Sequence, residues 1–153
     1  MSHNCHNGPH AAATGEAVTC HGTAISVGDS GLLIRGESGS GKSGLALTML
    51  ALGAALVADD QVQIAGGCLS APERIAGMIE ARGLGLIRLP ARRARLCYVV
   101  DLDLEPVGRL PRCNEIHLAG QHYPLIAGKG VPNLASGLMI LLKGGQLLDP
   151  EQI

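Results

Sequence analysis

The run Gly36-Glu37-Ser38-Gly39-Ser40-Gly41-Lys42-Ser43 constrains this chain more than any other stretch, because it satisfies G-x-x-x-x-G-K-[ST] at every required position. Its neighbours fit the geometry that the motif needs. Leu32-Leu33-Ile34-Arg35 reads as a short apolar strand running into the loop. After the loop, Leu45, Leu47, Met49, Leu50 and Leu52 lie among Ala and Thr, as in a helix buried on much of its surface, with Gly53 placed to end it. A strand, a glycine-rich turn and a helix N-terminus in that order form a phosphate cradle. Glycines let backbone N–H groups curl around an anion, and the helix end aims its free N–H groups at the same charge. Lys42 is a point charge for the β- and γ-phosphates, and the Ser43 hydroxyl is a natural magnesium ligand. A nucleoside triphosphate with Mg2+ is the expected ligand of Gly36–Ser43.

The rest of the chain reads as α/β with more strand than helix. Thr19–Ile25 alternates weakly, and Gly28-Asp29-Ser30-Gly31 reads as a turn. Ala54–Ala58 is a second buried strand that closes on Asp59 and Asp60, and Gln61–Ile64 continues as a strand. Arg95–Leu104 carries Leu96, Tyr98, Val100, Leu102 and Leu104 at period two. Glu115–Leu118 and His122–Ile126 are two further short strands, and Asn133–Lys143 is a final helix with Asn133 as N-cap and Gly144-Gly145 stopping it. With 153 residues, 46% of them hydrophobic, one compact domain is expected over 17–153, behind a flexible tail over 1–16. Phe and Trp are absent and Tyr occurs twice, so aliphatic side chains must fill the core.

Formal net charge is −1 and no aromatic platform is available, so nucleic acid is not the expected partner. No apolar run approaches the roughly 20 residues of a membrane span, and the N-terminus lacks the pattern of a signal peptide. The expected location is the cytoplasm. The five cysteines show no CxxC pair and are read as reduced thiols. His3, Cys5, His6 and His10 match no structural zinc spacing and are read as part of the polar tail.

Three features beyond the loop carry chemistry. Asp59 and Asp60 end a strand where P-loop enzymes place a magnesium-binding or water-orienting carboxylate. On an extended chain the two would point to opposite faces, so only one is expected to face the γ-phosphate directly. Glu80-Ala81-Arg82-Gly83-Leu84-Gly85 sets Glu80 and Arg82 on one side of an extended segment, and a surface ion pair would explain it equally well. His21 stands alone ahead of the P-loop strand. Arg88, Arg92, Arg93 and Arg95 form the one basic patch, either a solvated loop or a docking surface for an acidic partner or phosphate.

Together, Gly36–Ser43, Leu56-Val57-Ala58-Asp59-Asp60 and Glu80–Gly85 resemble the catalytic domain of the bacterial HPr kinase/phosphorylase family, across about residues 19–143. The resemblance implies an ATP- and Mg2+-dependent serine kinase acting on HPr, the phosphocarrier protein of the sugar phosphotransferase system, with phosphorolysis as a reverse activity. It also implies a core similar to phosphoenolpyruvate carboxykinase and, in full-length members, a hexamer. By position, it makes His21 an active-site histidine that orients the catalytic carboxylate, and Lys42 the P-loop lysine. Asp59 becomes the acceptor of the serine proton, Ser43 and Glu80 become magnesium ligands supported by Asp60, and Arg109 becomes the downstream catalytic arginine.

The chain also departs from the family pattern. Ahead of the domain there is only the short tail, the connection from Asp60 to Glu80 is shortened, and terminal helices that contact a neighbouring subunit are expected to be reduced. The family's basic loop tied to dephosphorylation corresponds to Ile126–Asn133, which lacks arginine, so kinase activity is expected over phosphorolysis. Two other readings stay open: a nucleotide-binding regulatory switch without transfer chemistry, and a kinase of a small metabolite.

Overall fold

The computed structural model describes residues 17–153; the tail and its His3, Cys5, His6 and His10 lie outside them. In chain order the first elements are β1 (Val18–His21), β2 (Thr23–Val27), β3 (Ser30–Arg35), α1 (Lys42–Ala51), β4 (Ala55–Ala58), β5 (Gln61–Ala65) and β6 (Cys68–Ser70). A 3-10 turn at Glu73–Ile75 follows. The rest are β7 (Met78–Ala81), β8 (Gly85–Arg88), β9 (Ala94–Asp101), β10 (Asn114–Leu118), β11 (Gln121–Ala127), α2 (Leu134–Leu142) and a second 3-10 turn at Pro150–Gln152. No helix among the described residues is long and apolar enough to cross a membrane.

Nine strands form one mixed sheet with the path β1-β5-β6-β9-β3-β2-β4. β9 is its hinge. One edge of β9 runs parallel to the whole of β3, while the other is shared by β6 at its start and β11 at its end. β7 and β8 make a separate two-stranded ribbon.

Alternation along the central strands divides the core in two. Ile25, Leu32, Ile34, Leu56 and Val100 pack with Ala46, Met49, Leu138 and Met139 of the helices. Leu33, Val57 and Val99 point the other way, where Val62, Ile64, Leu69 and Tyr123 close over them. β9 departs from the period-two expectation. Gly31 pairs with Leu96 but Leu32 pairs with Tyr98, so Cys97 is a bulge. The extra residue shifts the parity, putting Leu96 in one core and Val100 in the other. The strand also ends at Asp101, earlier than the hydrophobic pattern suggests. There the Asp101 carboxylate accepts the Asp103 N–H at 2.9 Å, and the chain turns away.

Both helices stop at the expected glycines. After α1, Gly53 N–H reaches Leu50 O and Ala54 N–H reaches Met49 O; after α2, Gly144 N–H reaches Leu141 O and Gly145 N–H reaches Ile140 O. These paired bonds satisfy the last carbonyls of each helix. The start of α2 differs from expectation. Asn133 is its N-cap residue by position, but it sits at φ 57 and its side chain caps nothing. In the left-handed conformation its amide cannot fold back over the first turn. Among the cysteines, Cys20, Cys97 and Cys113 are free thiols, while Cys68 is disulfide-bonded, which corrects the all-reduced expectation.

Candidate active site

The P-loop leaves β3 at Gly36 and enters α1 at Lys42. Gly36 has φ 150, and a Cβ there would come 2.5 Å from Ser40 Oγ, so only glycine lets the chain turn this tightly. Gly41 is the N-cap of α1 at φ 100, with open space where a Cβ would point. No side chain caps this helix end and its first turn carries no acid. The first helical bond is Leu45 N–H to Gly41 O, so the N–H groups ahead of it are free for an anion. A bare side of the loop, free donors and no competing carboxylate in the turn fit a phosphate chain. Lys42 is 7% exposed, and its Nζ donates to Gly36 O at 2.8 Å and Glu37 O at 2.9 Å. It ties the loop together from inside.

An open cavity of about 800 Å³ lies over the loop. His21, Lys42, Ser43, Asp59, Asp60 and Glu80, six of the expected site residues, all line it. The two aspartates reach it together through a backbone device that the sequence does not display. Asp60 sits at φ 72, and Gln61 N–H donates to Asp59 O at 2.9 Å, which makes a γ-turn of the strained, positive-φ hand. The turn breaks the extended alternation after Ala58, so the two carboxylates serve one cavity rather than opposite faces. Gly22 N–H holds the turn by donating to Asp60 O at 3.1 Å.

The two carboxylates have different surroundings. Asp59 is a junction. Its Oδ1 accepts from Thr23 Oγ1 at 2.9 Å and Ser43 Oγ at 3.0 Å, and its Oδ2 accepts from Glu80 N–H at 3.3 Å. It joins β2, the first turn of α1 and the β7–β8 ribbon. Three donors fill most of the roughly four acceptor sites of this carboxylate, which still lines the cavity. Asp60 is 71% exposed, and among the described residues its one ion-pair contact is His21 Nδ1 at 3.4 Å. The histidine thus stands beside Asp60 and not beside Asp59.

No group of three or more His, Cys, Asp or Glu side chains among the described residues could hold a metal on its own. Mg2+ does not require one, since it keeps several waters and takes one or two protein oxygens together with phosphate oxygens. Ser43 Oγ, Asp59 and the Glu80 carboxylate offer that kind of partial set on the cavity wall.

Two residues that sequence reading passed over support this geometry. Thr23 is 1% exposed and spends its hydroxyl on Asp59; a single threonine in an apolar strand gives no signal of that. Asp103 accepts the Glu37 N–H at 2.8 Å, while its own N–H donates to Asp101, whose carboxylate lies 3.7 Å from Arg35 Nε. This chain of contacts braces the outer side of the P-loop. It also walls a second cavity of about 380 Å³ that meets the first at His21.

The structure does not bring every candidate together. Arg109 lies on the exposed stretch between β9 and β10 and does not line the cavity. Arg82, read from sequence as half of an ion pair with Glu80, does line it. Ile126–Asn133 crosses from β11 to α2 and is likewise outside the cavity lining, with Lys129 N–H bonded to Leu104 O. Arg88, Arg92, Arg93 and Arg95 are all exposed.

Comparison with known proteins agrees with this architecture. A family model described as the HPr Serine kinase C-terminal domain matches residues 13–92. A protein of Clostridium tetani named HPr kinase/phosphorylase is 47% identical over 75 residues, covering 46% of this chain and 25% of the relative. One of Xanthomonas campestris pv. campestris with the same name is 46% identical over 77 residues, covering 47% of this chain and 24% of the relative. The matches therefore span about a quarter of the length of these relatives. The solved Hpr(Ser) kinase/phosphatase from Coxiella burnetii superposes with a TM-score of 0.69 at 24% identity, over 82% of this chain and 88% of the other. That likeness extends the shared fold well beyond residue 92. With more than half of its sequence matched, from ahead of β1 through the β7–β8 ribbon, the chain belongs to the HPr serine kinase C-terminal domain family.

Proposed function

We propose that this chain is an ATP- and Mg2+-dependent kinase that phosphorylates a serine of the HPr phosphocarrier. The observation that carries the reading is the convergence on one cavity of the P-loop lysine, the Ser43–Asp59 bond, Glu80 and the Asp60–His21 pair. A site for hydrolysis alone needs only a placed water. Here two carboxylates with separate tasks face one open cavity, wide enough for a nucleotide and the side chain of a protein acceptor.

On this reading the labour is divided among the residues of the cavity. The α1 N-terminus and Lys42 hold the phosphates, and Arg82 adds a second cation on the cavity wall. Ser43 and Glu80 are the metal ligands, with Asp59 fixing the Ser43 hydroxyl. A bound Mg2+ would offset charge on the phosphate oxygens. The serine oxygen attacks the γ-phosphorus, a new O–P bond forms, the β–γ bridging bond breaks, and ADP leaves. Asp60 takes the serine proton, and His21 keeps its carboxylate turned toward the cavity. The sequence favours Asp59 for that step; the open exposure of Asp60 and its contact with His21, the histidine expected to orient the catalytic carboxylate, favour its neighbour. In the reverse direction the same Asp60 would return the proton to the leaving serine oxygen. A cytoplasmic site of action, and assembly into a homo-oligomer, belong to the same reading.

The test is transfer of labelled phosphate from ATP to purified HPr, run beside a panel of small hydroxylated metabolites. Transfer to an HPr serine that requires Mg2+ is the expected result. ATP binding without transfer to any acceptor would reduce the chain to a nucleotide-dependent switch, and transfer only to a metabolite would replace the acceptor.

A further inference from the structure

Positive charge is distributed unevenly in this chain. Of its 12 Lys and Arg, Arg74, Arg82, Arg88, Arg92, Arg93 and Arg95 fall within one short stretch that contains Glu80 as its single acid. All six are exposed. Among the described residues none of them forms an ion pair, whereas Arg35 and Arg112 each do. Like charges gathered without partners repel one another, so such a cluster favours association with an anionic surface.

The position of the cluster follows from the register of the ribbon. Leu89 N–H bonds to Gly77 O, and beyond that pair Met78 faces Arg88 and Glu80 faces Leu86. Ile79 and Ile87 turn inward to the helix-side core. Alternation therefore puts Met78, Glu80, Leu86 and Arg88 on the other face. Met78, Glu80 and Leu86 line the nucleotide cavity, so Arg88 stands on the same face, just past its rim. At the other end, Leu84 is 80% and Leu86 73% exposed. One protruding ribbon thus carries two bare leucines, and a row of free guanidinium groups continues into the link before β9.

We propose that this ribbon and the arginines after it form the docking surface for an acidic protein, seated so that one of its hydroxyl side chains enters the cavity. The inference rests on the phosphotransfer reading above. Charge complementarity selects the occupant. Apolar anchors at one end of a ribbon and cations at the other suit a folded partner with a small apolar patch and carboxylates to one side of it. A single-stranded nucleic acid would need aromatic platforms, and the chain's two aromatic residues, Tyr98 and Tyr123, belong to the sheet strands β9 and β11.

The experiment uses the full chain with HPr as the acceptor probe and compares wild type, R92E/R93E and R92K/R93K at low and high salt. In R92E/R93E the KM for HPr is expected to rise about tenfold or more at low salt and to lose its salt dependence, with kcat and ATP-analogue affinity unchanged. R92K/R93K keeps the wild-type KM. An unchanged KM in R92E/R93E would overturn the docking surface alone. Loss of binding to anionic vesicles or single-stranded DNA by R92E/R93E, with KM for HPr intact, would overturn the choice of occupant. ATP binding without any transfer to HPr by the wild type would overturn the kinase reading and the docking surface together.

Discussion

Exchanging each aspartate of the pair for asparagine separates two roles that adjacent positions would otherwise confuse. Asp60→Asn keeps the side-chain shape, and asparagine tolerates the positive φ found there, so the γ-turn is retained. The substitution removes the carboxylate that can take a proton. Its exposed contact with His21 contributes little to stability, so the melting temperature should stay within about 1–2 °C of wild type. Nucleotide affinity should be unchanged, while the transfer rate falls about 10²–10⁴-fold, the usual share of a general base. Added Mg2+ should not restore it. Asp59→Asn acts differently. Its amide can still bond Thr23, Ser43 and Glu80, because hydroxyls rotate to accept as readily as to donate. The three bonds become neutral, at a cost of about 1 kcal/mol, or about 2–4 °C in a domain of this size. Ser43 is also held less firmly as a metal ligand, so the Mg2+ requirement rises and excess Mg2+ recovers much of the rate. Single-turnover transfer across a Mg2+ titration, with thermal melts of both variants, reads all of this. Near-normal transfer by Asp60→Asn, beside a loss in Asp59→Asn that Mg2+ does not relieve, would return proton acceptance to Asp59.

Three further outcomes follow from particular contacts. Lys42→Met removes the cation that ties Gly36 O and Glu37 O together, and should weaken nucleotide binding at least tenfold in a fluorescence titration while the helical circular dichroism stays intact. Asp103→Ala releases the Glu37 N–H on the outer side of the loop. This solvent-exposed bond is worth about 1 kcal/mol, so the nucleotide Kd should rise about fivefold with the Mg2+ dependence unaltered. Burial raises the Cys20 thiol pKa above 9.0, against the opposing pull of Arg35, so the folded state holds this proton more tightly than the unfolded chain does. The stability gained this way is present below pH 9.0 and lost as pH climbs past the folded value. Cys20→Ser should therefore flatten the alkaline end of the stability curve, measured by urea unfolding against pH.

The P-loop was legible in sequence because eight contiguous residues carry all of its chemistry, and the helix stops at Gly53 and Gly144 because their signals are equally local. Several functional features had no such signal. An aspartate in a positive-φ turn looks like any other aspartate, so the sharing of one cavity by Asp59 and Asp60 was hidden. Thr23 and Asp103 act across long stretches of chain, on Asp59 and Glu37, and only the pairing of strands reveals them. The bulge at Cys97 reverses an alternation that read cleanly from Leu96 to Leu104. In sequence the β7–β8 ribbon shows only as an extended segment, because the glycines needed for its turn obscure the strands on either side.

The position of β9 as the shared neighbour of β3, β6 and β11 has a consequence for how the protein comes to be folded. β3 leads directly into the P-loop, yet its parallel partner lies more than a third of the chain further on, with Ser30 opposite Arg95 and Arg35 opposite Asp101. Pairings of such wide separation carry a large loop-closure entropy and form late. As the chain is synthesised, the loop, α1, Asp59 and Asp60 will have emerged well before the strand that fixes them. Until β9 arrives, β3 presents an unpaired edge with Leu32, Leu33 and Ile34 beside it, a template for mispairing with a second chain. Pulsed hydrogen exchange should accordingly find the β3 amides that face β9, unlike those bonded to the neighbouring β2, protected no earlier than the amides of β9, with nucleotide binding appearing in the same phase.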